Sequence, residues 1–546
     1  MNRLTRLAIA LTLMIPGAAM STSPKASAPI VDSPAGKLRG VTDGGVRVFR
    51  GIPFAEAPVG PLRWRPPVAK ARFDGTFDAS QFGPACFQPS TKLDTIYTTD
   101  PWPMSEDCLS LNVWSRPKAN KAPVFVWIYG GALWGGTSRD PLYDGRKLAE
   151  RGVVVVSINY RTGPLGWLAH PELSAESRDG ISGNYGLQDQ IAALEWVKRS
   201  IASFGGDPGN VTIAGESAGA LSVMYLMASP PARGLFHKAV AQSAYMISTP
   251  ALKDAVHGSP PAEAIGAFFA GKLNAPTLAA LRALPADKLT DAAFAAGYPP
   301  FGAIDGKYLT GQLVDIFDRN EQAKVPILAG FNQGEIRSLK ILAPPAPPTA
   351  ADYEAKIRAA YGELADPFLK LYPAADYRES ILATTRDALY GWTAERLARS
   401  QTAAGAPSFL YLWDHGYPAA DDANLHAFHA AELPYVFGTY DRTPAKWPKV
   451  PATAAELKLS DALLNYWTSF AKSGKPTAKG AMPWPAYGSS RSFMHFAAMP
   501  QATQKLMPGM FELNEQIMCR RRAAGGIGWN WNVGLASPPL PPKAGC

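Results

Sequence analysis

An α/β fold, with a mostly parallel central sheet covered by helices on both faces, is predicted by three observations. Two runs of strand length, Val124-Phe125-Val126-Trp127-Ile128-Tyr129 and Val153-Val154-Val155-Val156-Ser157-Ile158-Asn159-Tyr160, are almost continuously apolar. Such runs suit strands buried on both faces, as in a helix-covered sheet. Helix-like segments separate these and later strand-like runs, which is the pattern of an α/β sheet. The third observation is the pentapeptide Gly215-Glu216-Ser217-Ala218-Gly219, set between the apolar run Val211-Thr212-Ile213-Ala214 and helix formers from Ala220 to Met227. That is G-x-S-x-G in strand–turn–helix context. A turn this sharp presents the Ser217 hydroxyl over the sheet edge, and it needs glycine at 215 and 219 because a Cβ there would collide with strand or helix. The helix that follows directs its positive end at the serine.

Taken in order, the chain starts with Arg3 and Arg6, an apolar core from Leu7 to Ile15, and then small residues. This reads as a secretory leader over residues 1–28, cleaved after Ala19 or Ala28, and its core is too short to span a bilayer. Residues 30–50 read as short strands punctuated by Pro34-Ala35-Gly36 and Asp43-Gly44-Gly45. A Pro-rich run follows to Pro67, and then a polar loop bounded by Cys86 and Cys108. Leu109–Trp114 alternates like a strand, and the run ending at Tyr129 leads into Gly130-Gly131-Ala132-Leu133-Trp134-Gly135-Gly136. A short helix is expected over 144–151, a longer one over 186–204, and strands over 238–243 and 409–413. Two Ala-rich helical blocks, about 250–320 and 350–405, flank the short run Val325–Gly330 and are expected to cap the active edge of the sheet within one domain, 29–546. The tail 520–546 is rich in Gly, Asn and Pro and reads as extended unless a cysteine holds it.

Composition narrows the class. Of 546 residues, 47% are apolar, which is ordinary for a globular chain. Proline (50 residues) is about twice its usual share, so many loops are expected. The formal charge of +9 includes Arg3, Arg6 and Lys25 of the leader, and no basic stripe interleaved with aromatics suggests a nucleic-acid partner. No later stretch approaches 18 uncharged apolar residues, so stable membrane insertion is not expected and the protein reads as exported, periplasmic or secreted. Four cysteines suit an oxidising compartment, and Cys519 and Cys546 are placed to staple the tail. No C-x-x-C spacing points to zinc, and neither metal nor cofactor is expected. The oligomeric state is left open.

A serine hydroxyl needs a base to act as nucleophile, and the base needs an acid to orient it. In this kind of elbow the chain order is serine, acid, histidine. Of seven histidines, His429 fits best as base and His426 is its neighbour and rival. Glu335, just after the run 325–330, is the nearer fit for the acid, with Asp305 as alternative.

Several ordered motifs now carry a resemblance. They are Gly51-Ile52-Pro53-Phe54 through Pro67, Glu106-Asp107-Cys108-Leu109-Ser110-Leu111-Asn112-Val113, and Asn159-Tyr160-Arg161-Thr162-Gly163-Pro164-Leu165-Gly166. Gly183-Asn184-Tyr185-Gly186-Leu187-Gln188-Asp189-Gln190, Phe204-Gly205-Gly206-Asp207-Pro208, the Ser217 elbow, Trp467–Ala471 and Trp484-Pro485 complete the set. From about residue 30 to 490 the chain resembles the type-B carboxylesterases, the carboxylesterase–cholinesterase branch of the α/β-hydrolase fold. The resemblance implies Ser217 as nucleophile, Glu335 as acid and His429 as base. It also implies a Cys86–Cys108 disulfide and oxyanion donors at the backbone N–H groups of Gly131, Ala132 and Ala218. Ala132 and Leu133 stand where many relatives have glycine and an aromatic residue, and Gly334 and Ile336 replace the usual flanks of the acid. Leu133, Trp134, Glu216 and Tyr245 are candidate pocket residues, and Ser243 a candidate neighbour of the triad. Trp102 lies in the cysteine loop, too near Cys108 to carry over the family's choline-binding role. The expected reaction is hydrolysis of a small-molecule carboxylic ester through an acyl-enzyme. The alternatives are the same machinery acting on amides, carbamates or thioesters, and a non-catalytic adhesion-type relative.

Overall fold

The computed structural model describes residues 28–90, 95–99, 102–530, 533–543 and 545–546. Apart from Ala28, the leader lies outside the described residues. Fourteen strands occur among them. β1 (Ile30–Ser33), β2 (Gly36–Arg39) and β5 (Thr76–Asp78) make a small sheet. The large sheet holds eleven: β3 (Val41–Asp43), β4 (Val46–Pro53), β6 (Ser110–Ser115), β7 (Ala122–Ile128), β8 (Val154–Ile158), β9 (Gly206–Glu216), β10 (Lys238–Gln242), β11 (Ile327–Asn332), β12 (Ser408–Trp413), β13 (Ser492–Phe496) and β14 (Pro500–Gln504). Their spatial order is β14-β13-β12-β11-β10-β9-β7-β8-β6-β4-β3. Neighbours from β13 through β8 pair in parallel, and both ends of the sheet turn antiparallel.

The apolar runs have a simple physical reason. Successive side chains of a strand point to opposite faces. Val124, Val126 and Ile128 of β7 enter one core, with Leu187, Ile191 and Leu194 of the helix Tyr185–Ser200 and Leu221 of the helix Ala218–Ala228. Phe125 and Trp127 enter the other, with Leu463, Trp467 and Phe470 of the helix Ala454–Ser473. Both faces of β7 are buried, so both alternate sets of its side chains are apolar.

The two Ala-rich blocks differ from each other. The first gives the helices Ala262–Lys272, Leu278–Ala283, Ala286–Ala295 and Leu313–Asp318, with irregular chain between. The first three of these pack in a separate cluster with Trp64, Leu165 and Tyr185. The second gives Ala350–Tyr361, Ala365–Leu371, Tyr377–Arg386 and Trp392–Ala403, which join the larger core. The helix expected over 186–204 runs from Tyr185 to Ser200 and finishes as a 3-10 turn, Ile201–Phe204. β13 and β14 carry no apolar run of the kind that marks the central strands. The helix Met510–Ala524 overlaps the start of the segment read as an extended tail.

Disulfides join Cys86 to Cys108 and Cys519 to Cys546. The basic block Arg520-Arg521-Arg522 is turned inward, to Glu363, Ser537 and Asp315 respectively. No helix among the described residues is long and apolar enough to cross a membrane. The family-like motifs prove to be partners of one another: Arg161 makes a bidentate pair with fully buried Asp189, at 2.8 Å on both oxygens. Arg63 does the same with Glu106.

Candidate active site

β9 ends at Glu216 and the helix Ala218–Ala228 starts one residue past Ser217, leaving the serine alone at the turn with φ +56° and ψ −122°. Such a backbone costs a non-glycine residue roughly 1–3 kcal/mol and persists only where the surroundings over-determine it. They do so here. A Cβ on Gly215 would lie 2.4 Å from the Gly219 carbonyl, and one on Gly219 would lie 2.1 Å from the Ile128 carbonyl oxygen. The Ser217 N–H donates to the Gln242 carbonyl at the end of β10, 2.9 Å away. A Cβ on Gly130 would fall 3.1 Å from the Ser217 Cβ, so the end of β7 runs directly against the elbow.

Gly131, Ala132 and Leu133 then take three consecutive positive φ values, +106°, +55° and +59°. The turn closes with Trp134 and Gly135 N–H groups donating to the Gly131 carbonyl, at 2.9 and 3.1 Å. Leu133 is fully buried, and Trp134 packs edge-on against Phe294 and Tyr298 of the first helical block, with centroids 5.3 and 6.4 Å apart.

Glu335 opens the short helix Glu335–Ser338, three residues past β11. It is fully buried; its Oε1 accepts the Asn332 N–H at 2.8 Å, and its Oε2 is hydrogen-bonded to His429 Nδ1. The loop that follows β12 carries His429, and the loop of Glu335 laces it down. Gly334 N–H donates to the Ala427 carbonyl (2.8 Å) and Asn332 Nδ2 to the Phe428 carbonyl (2.7 Å). The His429 N–H donates to Ser338 Oγ (3.3 Å), and the Tyr97 hydroxyl donates to the His429 carbonyl (2.8 Å). Ala430 beyond it sits at φ +67°.

The other imidazole nitrogen, Nε2, faces Glu216 Oε1 at 2.9 Å, beside the elbow serine. Burial alone would push the imidazole pKa down. The carboxylates of Glu216 and Glu335 outweigh it and hold the pKa well above the ordinary histidine value. A third carboxylate, Glu432, accepts from Gln242 Nε2 (2.8 Å) and Asn332 Nδ2 (2.7 Å). Burial, then the charge of Glu216, raises its pKa to about 7. The Tyr390 ring lies 5.4 Å from the His429 ring, and Tyr245 meets Tyr390 edge-on at 6.0 Å.

The structure therefore brings Glu216, Glu335, His429 and the elbow serine to one edge of the sheet, beyond the carboxyl ends of β9, β11 and β12. That is where open α/β sheets bind their ligands. The rivals lie elsewhere in bonding terms. His426 sits between Asp414 (3.0 Å) and Asp421 (2.8 Å), and His495 pairs with the other oxygen of Asp414. Asp305 binds Asn184 Nδ2 and closes its own turn. Ser243 is fully buried at φ +49°, its N–H on the Gly330 carbonyl. Trp102 lies under Arg139, 5.4 Å from ring centroid to guanidinium carbon. Tyr97, Ser338 and Tyr390 surround His429, and Gln242 bonds the Ser217 N–H and Glu432, without a sequence motif that marks them for the site. Only Tyr97 offered a signal, an aromatic inside a cysteine-bounded loop.

The chain and its fold have close parallels among known proteins. Residues 27–510 match the model of the carboxylesterase family. A fumonisin B1 esterase of Sphingopyxis macrogoltabida is 36% identical over 513 residues, covering 90% of this chain and 91% of that protein. A para-nitrobenzyl esterase of Bacillus subtilis (strain 168) is 36% identical over 473 residues, covering 84% and 92%. Among solved structures, a PNB esterase superposes with a TM-score of 0.77 at 32% identity, covering 89% of this chain and 99% of that one. A Geobacillus stearothermophilus carboxylesterase gives 0.75 at 32%, covering 89% and 99%. With the α/β sheet, the strained serine elbow and the paired acid and histidine already in place, these matches settle the family: the chain belongs to the carboxylesterases and is a carboxylic ester hydrolase.

Proposed function

We propose that the protein hydrolyses its ester through an acyl-enzyme, with Ser217 as nucleophile, His429 as base and Glu335 as the acid that orients it. The supporting observation is the buried His429, bonded through Nδ1 to Glu335 and turned through Nε2 to the elbow that carries Ser217. A Nδ1–H given to Glu335 leaves Nε2 as the basic nitrogen. His429 takes the Ser217 proton as Oγ attacks the ester carbonyl, and returns it to the departing alkoxide, so alcohol leaves and the acyl group stays on Oγ. Water then enters by the same route, His429 removing its proton, and the acid is released. The N–H groups of Gly131, Ala132 and Ala218 are assigned to the oxyanion. Each such donor is worth roughly 2.7–4 kcal/mol in the transition state. Ala132 keeps its N–H while adding a methyl, so it and Leu133 are assigned to limiting the size of the alcohol. Tyr245 and Trp134 are assigned to the pocket wall. Residues 1–28 are assigned as a leader for export.

A para-nitrobenzyl ester and fumonisin B1, for which two relatives are named, are the first substrates to test. Purified protein should release alcohol from at least one of them, and Ser217→Ala should lower kcat by a factor of about 10⁴ or more. Full turnover by Ser217→Ala would overturn the assignment. A His426→Gln protein with normal turnover beside an inactive His429→Gln protein would assign the base.

A further inference from the structure

Among the described residues of the loop between Cys86 and Cys108, Tyr97 reaches His429. We propose that Tyr97, acting with Ser338, is a positioning residue for His429, so that the disulfide-bounded loop is part of the catalytic apparatus; this rests on His429 being the base.

The hydrogen bonds form a closed circuit around one residue, joining the peptide groups on either side of the His429 Cα. The His429 N–H donates to Ser338 Oγ, the Tyr97 hydroxyl donates to the His429 carbonyl, and the two hydroxyl oxygens lie 2.7 Å apart. The Tyr97 hydroxyl has two acceptors in reach, the His429 carbonyl and Ser338 Oγ, and the Ser338 hydroxyl donates in turn to the Glu335 carbonyl at 3.4 Å. Ser338 closes the short helix that Glu335 opens, so the same circuit ties the acid's helix to the base. The Tyr97 ring stands edge-on to His429 at 6.5 Å and to Trp447 at 5.8 Å, which confines it on two sides. Trp447 is buried and packs in turn on Phe428, next to the base. The loop residues around Tyr97 are braced by their own turn, with Thr95 Oγ1 accepting the Tyr97 N–H at 3.3 Å.

Electrostatics keep this donor constant. Burial, and then the charges of Glu216, Glu335 and Glu432, hold the phenol well above its ordinary pKa despite the Ser338 hydrogen bond, so it remains an O–H at every working pH. The imidazole needs such a fixed mount because it lies between two carboxylates that attract it in opposite directions. A side chain that anchors the peptide sets how far Nε2 leans toward Glu216 or toward the serine. Misplacement of a reacting group by about 1 Å can cost 10²-fold in rate.

Tyr97→Phe removes the hydroxyl and keeps the ring, and Ser338→Ala removes the bridge. Each should lower kcat by about tenfold or more with KM little changed, and should displace the acid limb of the pH profile of kcat/KM. The double variant should be no worse than the weaker single one, because the two side chains act as a unit. Ser338→Thr, which keeps the hydroxyl, should restore most of the rate. Rates are taken per active site, counted by covalent labelling with a phosphorylating aryl ester, so that a misfolded fraction does not count. A Tyr97→Phe protein with wild-type kcat and an unmoved acid limb overturns the proposal, as does a loss confined to the number of labelled sites. Full activity of His429→Gln would instead overturn the assignment of the base, and the two failures are read from different variants.

Discussion

With Glu335 on Nδ1 and Glu216 2.9 Å from Nε2, the His429 imidazole faces a carboxylate at each nitrogen. Two consequences pull against each other. The pair raises the pKa of the resting imidazole, so a larger fraction is protonated at acid pH and, in the proposed mechanism, unable to accept the serine proton. The same charges would stabilise the imidazolium formed in the proposed attack by Ser217. Glu216→Gln should therefore move the acid limb of kcat/KM to lower pH while lowering the plateau, by up to tenfold for each pH unit that the limb moves. Both are read from one pH profile on an uncharged aryl ester, and an unmoved limb would show that Glu216 does not act on the base. The sign for stability is also fixed. A folded pKa raised above the unfolded value of 6.5 adds stability fully present below that value and lost as pH rises through the folded pKa. Glu432, raised to about 7 chiefly by burial, changes stability in the same direction but in a lower window, the loss falling between its unfolded value of 4.5 and about 7.

Between the helices Tyr377–Arg386 and Trp392–Ala403 the backbone forms a π turn, Asp387–Gly391. Such turns are rare and frequent at functional sites. Before the turn, Arg386 Nη1 donates to the Gln333 carbonyl, two residues from Glu335, at 3.2 Å, while its Nε binds Asp387 at 2.7 Å. Within the turn, Tyr390 is set against the His429 ring. After it, Thr393 Oγ1 accepts the Met246 N–H at 2.9 Å, in the segment following Tyr245. One helix with a local phase change thus contacts the loop of Glu335, the His429 ring and the segment after Tyr245. Deleting Ala388 to restore a regular α-helix changes the phase between Arg386 and Thr393 by one residue, about 100°. The expected result is a folded protein with kcat/KM lowered at least about 10²-fold, whereas Tyr390→Phe stays within a few-fold of wild type. Activity and thermal melting of the two variants check this; a fully active deletion would leave the π turn without a catalytic part.

Across the whole molecule, legibility followed burial and chain locality. The runs 124–129 and 153–160 announced central strands because both of their faces are dry, and the elbow was visible because Gly215 and Gly219 sit at backbone contacts that admit no Cβ. β13 and β14 left no such mark: β14 is an exposed edge strand, and β13 is short and mixes His495 with apolar residues. Tyr97 and Ser338 could not be paired from sequence because 241 residues separate them and nothing local requires their contact. The tail shows the same limit. Two cysteines indicated a staple, but not what it holds. Asn530, almost fully buried, accepts the Ser248 N–H at 3.3 Å and donates to the Met246 carbonyl, Trp529 packs on Trp392, and Leu540 N–H donates to the Ala360 carbonyl. The tail therefore straps the segment after Tyr245 to the second helical block, and the Cys519–Cys546 bond, spanning 27 residues, closes the strap. A cross-link over a loop of this size is worth about 3.5 kcal/mol in the chain-entropy account. Cys546→Ser should lower the unfolding free energy by about that amount, and amide exchange should accelerate at 246–248 while the Cys86–Cys108 loop keeps its protection. Unchanged exchange at 246–248 would mean that Asn530 and Trp529 hold the strap without the disulfide.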